Sequence, residues 1–172
     1  MKNTTSDFDK LNHLLQAAFA AEKVYYNASE DAQETHLKRF LGYMATERNR
    51  MAFDISNELS SRHITPSVPF SEKGHTDRNW KEIKEALVNY NPEELILNCI
   101  GWDKTLVVKT KELLDNQKLP KEVLDMLENN HKKIQWYIKQ ARQHLVSHFK
   151  VESDKAKDSS HDSKVISIKK AQ

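Results

Sequence analysis

The chain has 172 residues, the length of one domain with a buried core. Three glycines, four prolines and 30% charged residues favour helices, because glycine and proline are the strongest helix breakers. A formal net charge of +2 sets up no field to draw nucleic acid or an anionic membrane, and a single cysteine, Cys99, excludes an internal disulfide.

A first helix is expected from Ser6, an N-cap with Asp9 in its first turn, and carries Phe8, Leu11, Leu15, Ala18, Glu22 and Tyr25 on one stripe. Asn27 to Gln33 is polar and reads as a turn. A second helix places Leu37, Phe40, Met44, Met51, Ile55 and Leu59 on its inner face and fades before Pro66. From His63 to Thr76 the prolines, Gly74 and several serines and threonines mark a long irregular connection. Asp77 is expected to cap a short helix with Trp80, Ile83, Leu87 and Tyr90 on one side. Asn91-Pro92-Glu93-Glu94 starts the next helix: the Asn caps, the Pro takes the first turn and the acids favour the helix dipole. Its stripe is Leu95, Cys99, Asp103, Leu106, Thr110 and Leu113. After a turn at Asp115 to Leu119, Pro120 opens the last helix, with Leu124, Leu127, His131, Ile134, Ile138, Ala141 and Leu145 on one face.

These elements make an all-α domain over residues 1–149: a four-helix bundle of two helical hairpins, joined by a long crossover that contains a short extra helix. That is the ferritin-like arrangement. The apolar period stops after Lys150, and residues 150–172, a mix of charges, Ser and His, are expected to be a disordered tail. Neither a signal peptide nor a transmembrane helix is expected, because MKNTTSDFDK has no apolar run and no later run approaches membrane length; the expected setting is the cytoplasm, which also suits the lone cysteine.

A di-metal bundle needs a Glu from each of two helices and a Glu-x-x-His pair from each of the other two. The inner stripes offer Glu22, Glu47, Asp103, Glu128 and His131. Where the second helix would need a His it has Arg50, which cannot ligate and should pair with a carboxylate instead. With the first turn near Glu30, Glu47 lies about eight residues, or ~12 Å, too deep to share a metal with Glu22. The second hairpin does bring Asp103 opposite Glu128 and His131. This trio is read first as a buried polar contact and second as an iron or manganese half-site. Trp80, Trp102, Trp136 and Tyr137 read as core or interface anchors. His144 and His148 sit four apart near the end of the last helix, a pair that favours the helix terminus or catches stray metal. Glycine-rich phosphate loops and basic stripes with interleaved aromatics are missing, and Cys99 has no base beside it in sequence.

Arg78-Asn-Trp80-Lys-Glu-Ile83-Lys84 resembles the Arg-x-Trp-x-x-apolar-Lys signature of a bacterial ferritin-like four-helix-bundle family of unknown function. Further matches follow in order: Tyr25 and Ala28; Leu37, Phe40 and Arg48; Pro66; Gly101 and Asp103; Leu119-Pro120, Glu122-Val123 and Ile134. Asp77 stands where that family usually has His, and Trp102 where it has Glu between Gly101 and Asp103. The resemblance implies the fold and a depleted polar site, and supplies no activity. The expected function is therefore a non-enzymatic bundle acting through protein contacts or in stress physiology. It would have no cofactor and no nucleic-acid or membrane partner; a separate, third reading is an assembly module with a homodimer seam at Trp136 or Tyr137. The alternative is a metal-binding bundle using iron or manganese at Asp103, Glu128 and His131.

Overall fold

The computed structural model of the protein describes residues 2–69 and 77–150. The tail from 151 onward, for which disorder is expected, and the Gly74 part of the connection lie outside them. Five α-helices follow one another: α1 (Lys2–Asp31), α2 (Thr35–Ser61), α3 (Trp80–Val88), α4 (Pro92–Asn116) and α5 (Lys121–Leu145). α5 continues into a π-helical turn, Val146–Lys150. Among the described residues there is no strand, and no helix is long and apolar enough to cross a membrane.

The four long helices pack as two hairpins, α1 with α2 and α4 with α5, with α1 laid against α4 and α2 touching α5. The apolar interior has two parts. One gathers Leu11, Leu15, Ile55, Leu106, Leu127 and Ile134, and the other Tyr25, Leu37, Leu41, Met44, Ile96 and Leu145. Polar residues lie among these, and they form the site below.

Several boundaries differ from the sequence expectation, each for a local reason. α1 begins upstream of Ser6 and runs through the expected turn, because Ala28, Ser29 and Asp31 are buried and Ser29 Oγ donates to the Lys38 carbonyl at 3.0 Å. The link between α1 and α2 is only Ala32-Gln33-Glu34. α3 is capped by Asn79, not Asp77. The Asn79 side chain accepts from Glu82 N at 3.0 Å, and the Glu82 carboxylate accepts from Asn79 N at 2.7 Å, a complete capping box. Asp77 instead takes a left-handed backbone (φ 54°) and pairs with Lys23 at 3.2 Å. α3 buries none of its residues: Trp80 is 75% exposed, and Leu87 also faces out. Trp102 and Trp136 are exposed too, whereas Tyr137 is buried, so the three tryptophans are not core anchors. On α5 the buried stripe is Val123, Leu127, Asn130, Ile134, Tyr137, Ala141 and Leu145, which moves His131 to its edge. Asn91 caps α4 as expected, accepting from Glu93 N at 3.0 Å and Glu94 N at 3.3 Å.

The crossover is strapped along α1. Asn12 donates to the Thr65 carbonyl and accepts from Ser67 N at 2.7 Å. Further along, Arg78 grips Asp31 with two hydrogen bonds, 2.7 and 3.1 Å. Tyr90 then closes the end of the first hairpin, donating to Glu34 and accepting from Gln33 N at 3.3 Å.

Candidate functional site

The polar centre of the protein is built on Arg48. Its position in α2 continues the apolar stripe from Met44 to Met51, so the helix turns a guanidinium into the core. Arg48 is 1% exposed and its partner Asp103, on α4, is 0% exposed. Arg48 Nε donates to Asp103 Oδ1 at 2.8 Å, and Arg48 Nη2 donates to Asp103 Oδ2, a bidentate fork. Tyr25 on α1 donates its O–H to Asp103 Oδ2 at 2.5 Å. The guanidinium carbon stands 4.7 Å from the Tyr25 ring centre and 4.9 Å from that of Tyr137, so two aromatic faces flank the charge. A second arm runs outward: Tyr137 donates to Glu47 Oε2 at 2.7 Å, and Arg50 pairs with Glu47 Oε1. All four long helices therefore contribute to one connected network, and Arg50 pairs with a carboxylate as its sequence position suggests.

The electrostatics follow from this burial. Burial pushes the Tyr25 hydroxyl well above the usual tyrosine range, and the neighbouring Asp103 charge pushes further the same way. Burial alone would lower the Arg48 pKa, but hydrogen bonding and attraction to Asp103 more than offset it, so the group is held charged. The Cys99 thiol is pushed up to about 12, first by burial and then by Asp103. A cavity of about 20 Å³, lined by Glu47, Arg48, Asn130 and Tyr137 among others, borders the network and has room for a single water. Asn130 is buried, and its Nδ2 has no hydrogen-bond partner among the described residues.

Asp103, Glu128 and His131, expected to face one another, are not brought together. Asp103 turns inward to Arg48 and Tyr25. Glu128 is 56% exposed at its side chain and pairs with Lys132 at 2.8 Å on its own helix. His131 sits on the edge of the buried stripe, and its Nε2 is buried without a hydrogen-bond partner among the described residues. Glu22 and Glu47 are also apart: Glu22 accepts from Asn49 at 3.2 Å, while Glu47 serves Arg50 and Tyr137. These residues do not fit a di-metal carboxylate centre. The inward carboxylates already accept charged or phenolic donors, and a cation beside Asp103 would have to displace the guanidinium. Among the described residues, the one set of three or more His, Cys, Asp or Glu side chains whose ligand atoms all lie within 4.8 Å of one another is His36, His144 and His148.

The helical periods of α1 and α4 place Tyr25 and Asp103 on inner stripes, whereas Arg48 is absent from the apolar stripe expected for α2. The signal was there as a gap: the apolar stripe of α2 skips from Met44 to Met51, and Arg48 fills the missing turn.

Residues 7–116, from α1 to the end of α4, match the family described as Domain of unknown function (DUF2383). The chain belongs to this family. A comparison with curated proteins finds no match. The DUF2383 span contains Tyr25, Glu47, Arg48, Cys99 and Asp103 and stops before α5, which supplies Tyr137. It also contains Arg78 and Trp80 of the crossover signature. Their geometry gives the two residues different tasks, since Arg78 is clamped to Asp31 while the Trp80 ring faces solvent.

Proposed function

We propose that this DUF2383 chain is a ferritin-like four-helix bundle whose central cation is a guanidinium, and that it works in the cytoplasm as a non-enzymatic protein through contacts with other proteins or with itself. The observation that carries this reading is Arg48, fixed on Asp103 by a bidentate pair at the meeting point of all four long helices. A guanidinium neutralises a buried carboxylate as a metal ion would, but it changes no oxidation state and gives up no proton. Cys99 and Tyr25, the nearest groups that could act as nucleophile or base, hold their protons far above neutral pH. The exposed side chains of Trp102, Val108 and Trp136 on α4 and α5 support a role in contacts.

Fe(II) oxidation in air tests the non-enzymatic reading. Protein with His36, His144 and His148 all changed to Ala, so that surface imidazoles contribute nothing, is expected to oxidise Fe(II) no faster than buffer. Saturable acceleration by this variant overturns the reading.

A second reading keeps iron or manganese at Asp103, Glu128 and His131. The unpartnered, buried Nε2 of His131 favours it, but it requires Asp103 to be released from Arg48. On this reading His131→Ala abolishes manganese uptake by an otherwise folded protein, and equal uptake by parent and variant removes it.

A further inference from the structure

We propose that His36, His144 and His148 form a surface site for one late first-row divalent metal ion, with zinc as its representative. The ion would be bound by three imidazole nitrogens, with a fourth position open to solvent. Nothing in the bundle centre is needed for this site, so it stands or falls independently of the reading above.

The three side chains come from distant places. His36 lies in the first turn of α2, His144 in the last turn of α5, and His148 in the π-helical turn that follows. The hairpin geometry brings the start of α2 and the end of α5 to the same end of the molecule, and the rings meet there. His36 Nδ1 and His144 Nε2 are 3.1 Å apart. Two imidazole nitrogens bound to one zinc ion at 2.0–2.1 Å stand roughly 3.0–3.4 Å from each other, so this pair already has ligand spacing. The His148 ring stacks on His36 with centres 4.3 Å apart and lies 4.4 Å from His144. One ring nitrogen from each of the three histidines lies within 4.8 Å of the other two, and His148 is exposed.

The surroundings suit a metal better than they suit three free histidines. Phe40 stacks on His144 at 4.5 Å, and Phe149 lies beside His36 and His144, which fixes the rings with apolar contacts. No carboxylate belongs to the convergent set, so nothing within it would compensate protonated imidazoles crowded at one point. Three nitrogen donors without oxygen select zinc, nickel or copper over magnesium, calcium or manganese. Three protein ligands also leave a coordination position unfilled, as in open zinc sites. The π-helical turn continues α5 without a break and places His148 four residues beyond His144, back over the same spot.

The test uses full-length protein without a purification tag, stripped of metal and titrated with zinc chloride by calorimetry, with Co(II) as a spectroscopic stand-in. The parent is expected to bind one equivalent, to give a four-coordinate cobalt spectrum and to melt at a higher temperature with zinc than without. His36→Ala and His148→Ala, both at exposed positions, are each expected to weaken zinc roughly a hundredfold and to abolish the melting shift. His13→Ala, an exposed histidine of α1 outside the set, leaves all three readouts unchanged. If His36→Ala binds as tightly as the parent, only the pair on α5 is engaged and the proposal is overturned. It is equally overturned if the parent binds less than one equivalent, or if zinc does not raise its melting temperature.

Discussion

At the scale of single residues, the buried pair sets the terms. Two charges with almost no solvent contact gain little over an apolar core, yet either one alone is very costly there. Asp103→Ala should therefore destabilise the protein by about 3–5 kcal/mol, because it strands the Arg48 guanidinium and leaves the Tyr25 hydroxyl without its acceptor. The triple change Tyr25→Phe, Arg48→Met and Asp103→Leu removes every one of those groups and should be markedly more stable than the single variant. Urea denaturation of the two proteins checks this, and a triple variant no better than Asp103→Ala would contradict it. The pair also shows what a sequence conceals. Asp103 was legible as an inward residue from the period of α4, but its partner was not. The period of α2 puts Arg48, not Arg50, on its inner face between Met44 and Met51, but it does not say which inward carboxylate that guanidinium meets across the bundle.

At the scale of elements, local chemistry decides some boundaries and packing decides the others. Asn91-Pro92-Glu93-Glu94 declares the start of α4, because cap, ring and acids act within one turn. Asn27 to Asp31 gives the opposite lesson. The stretch is polar enough for a turn, yet Ser29 and Asp31 find partners on α2 and the crossover, and the helix continues. An acid at a helix C-terminus opposes the dipole, and Arg78 offsets this while anchoring the connection. The Arg of the crossover signature thus works as a clamp. Arg78→Ala should cost about 1–3 kcal/mol. Chemical denaturation will measure this, with Arg78→Lys recovering part of the loss through a single hydrogen bond. No loss in the alanine variant would show that the clamp carries no stability.

At the scale of the whole molecule, the end that holds the start of α2 and the end of α5 responds to pH through His144. His144 has a folded pKa of about 4, below the 6.5 of a free histidine. Between those values the unfolded chain binds more protons than the folded one, so this group makes stability rise with pH across that window. Above it His144 exerts no penalty, and as pH falls through it stability is lost. In chelator-containing buffer, the parent should lose more stability than His144→Gln between neutral pH and about pH 4.5. Identical slopes for the two proteins would refute the assignment. The all-helical character of the chain was legible from its helical periods. The meeting of His36 with His144 and His148 was not, because it joins residues more than a hundred positions apart through the antiparallel return of α5.

α3 is held by its capping box and by what flanks it, since none of its own side chains is buried. Its hydrogen bonds can therefore break without disturbing the core, and its amide protons should exchange with deuterium through local opening alone. Those of α1 between Leu11 and Tyr25, a stretch anchored by the buried Leu11, Leu14, Leu15, Ala18, Ala21 and Tyr25, should exchange only when the whole protein unfolds. Mass-resolved exchange should show Trp80–Val88 labelled long before α1 and insensitive to mild denaturant. Exchange of α3 at the pace of α1 would mean that the crossover is a full member of the cooperative unit.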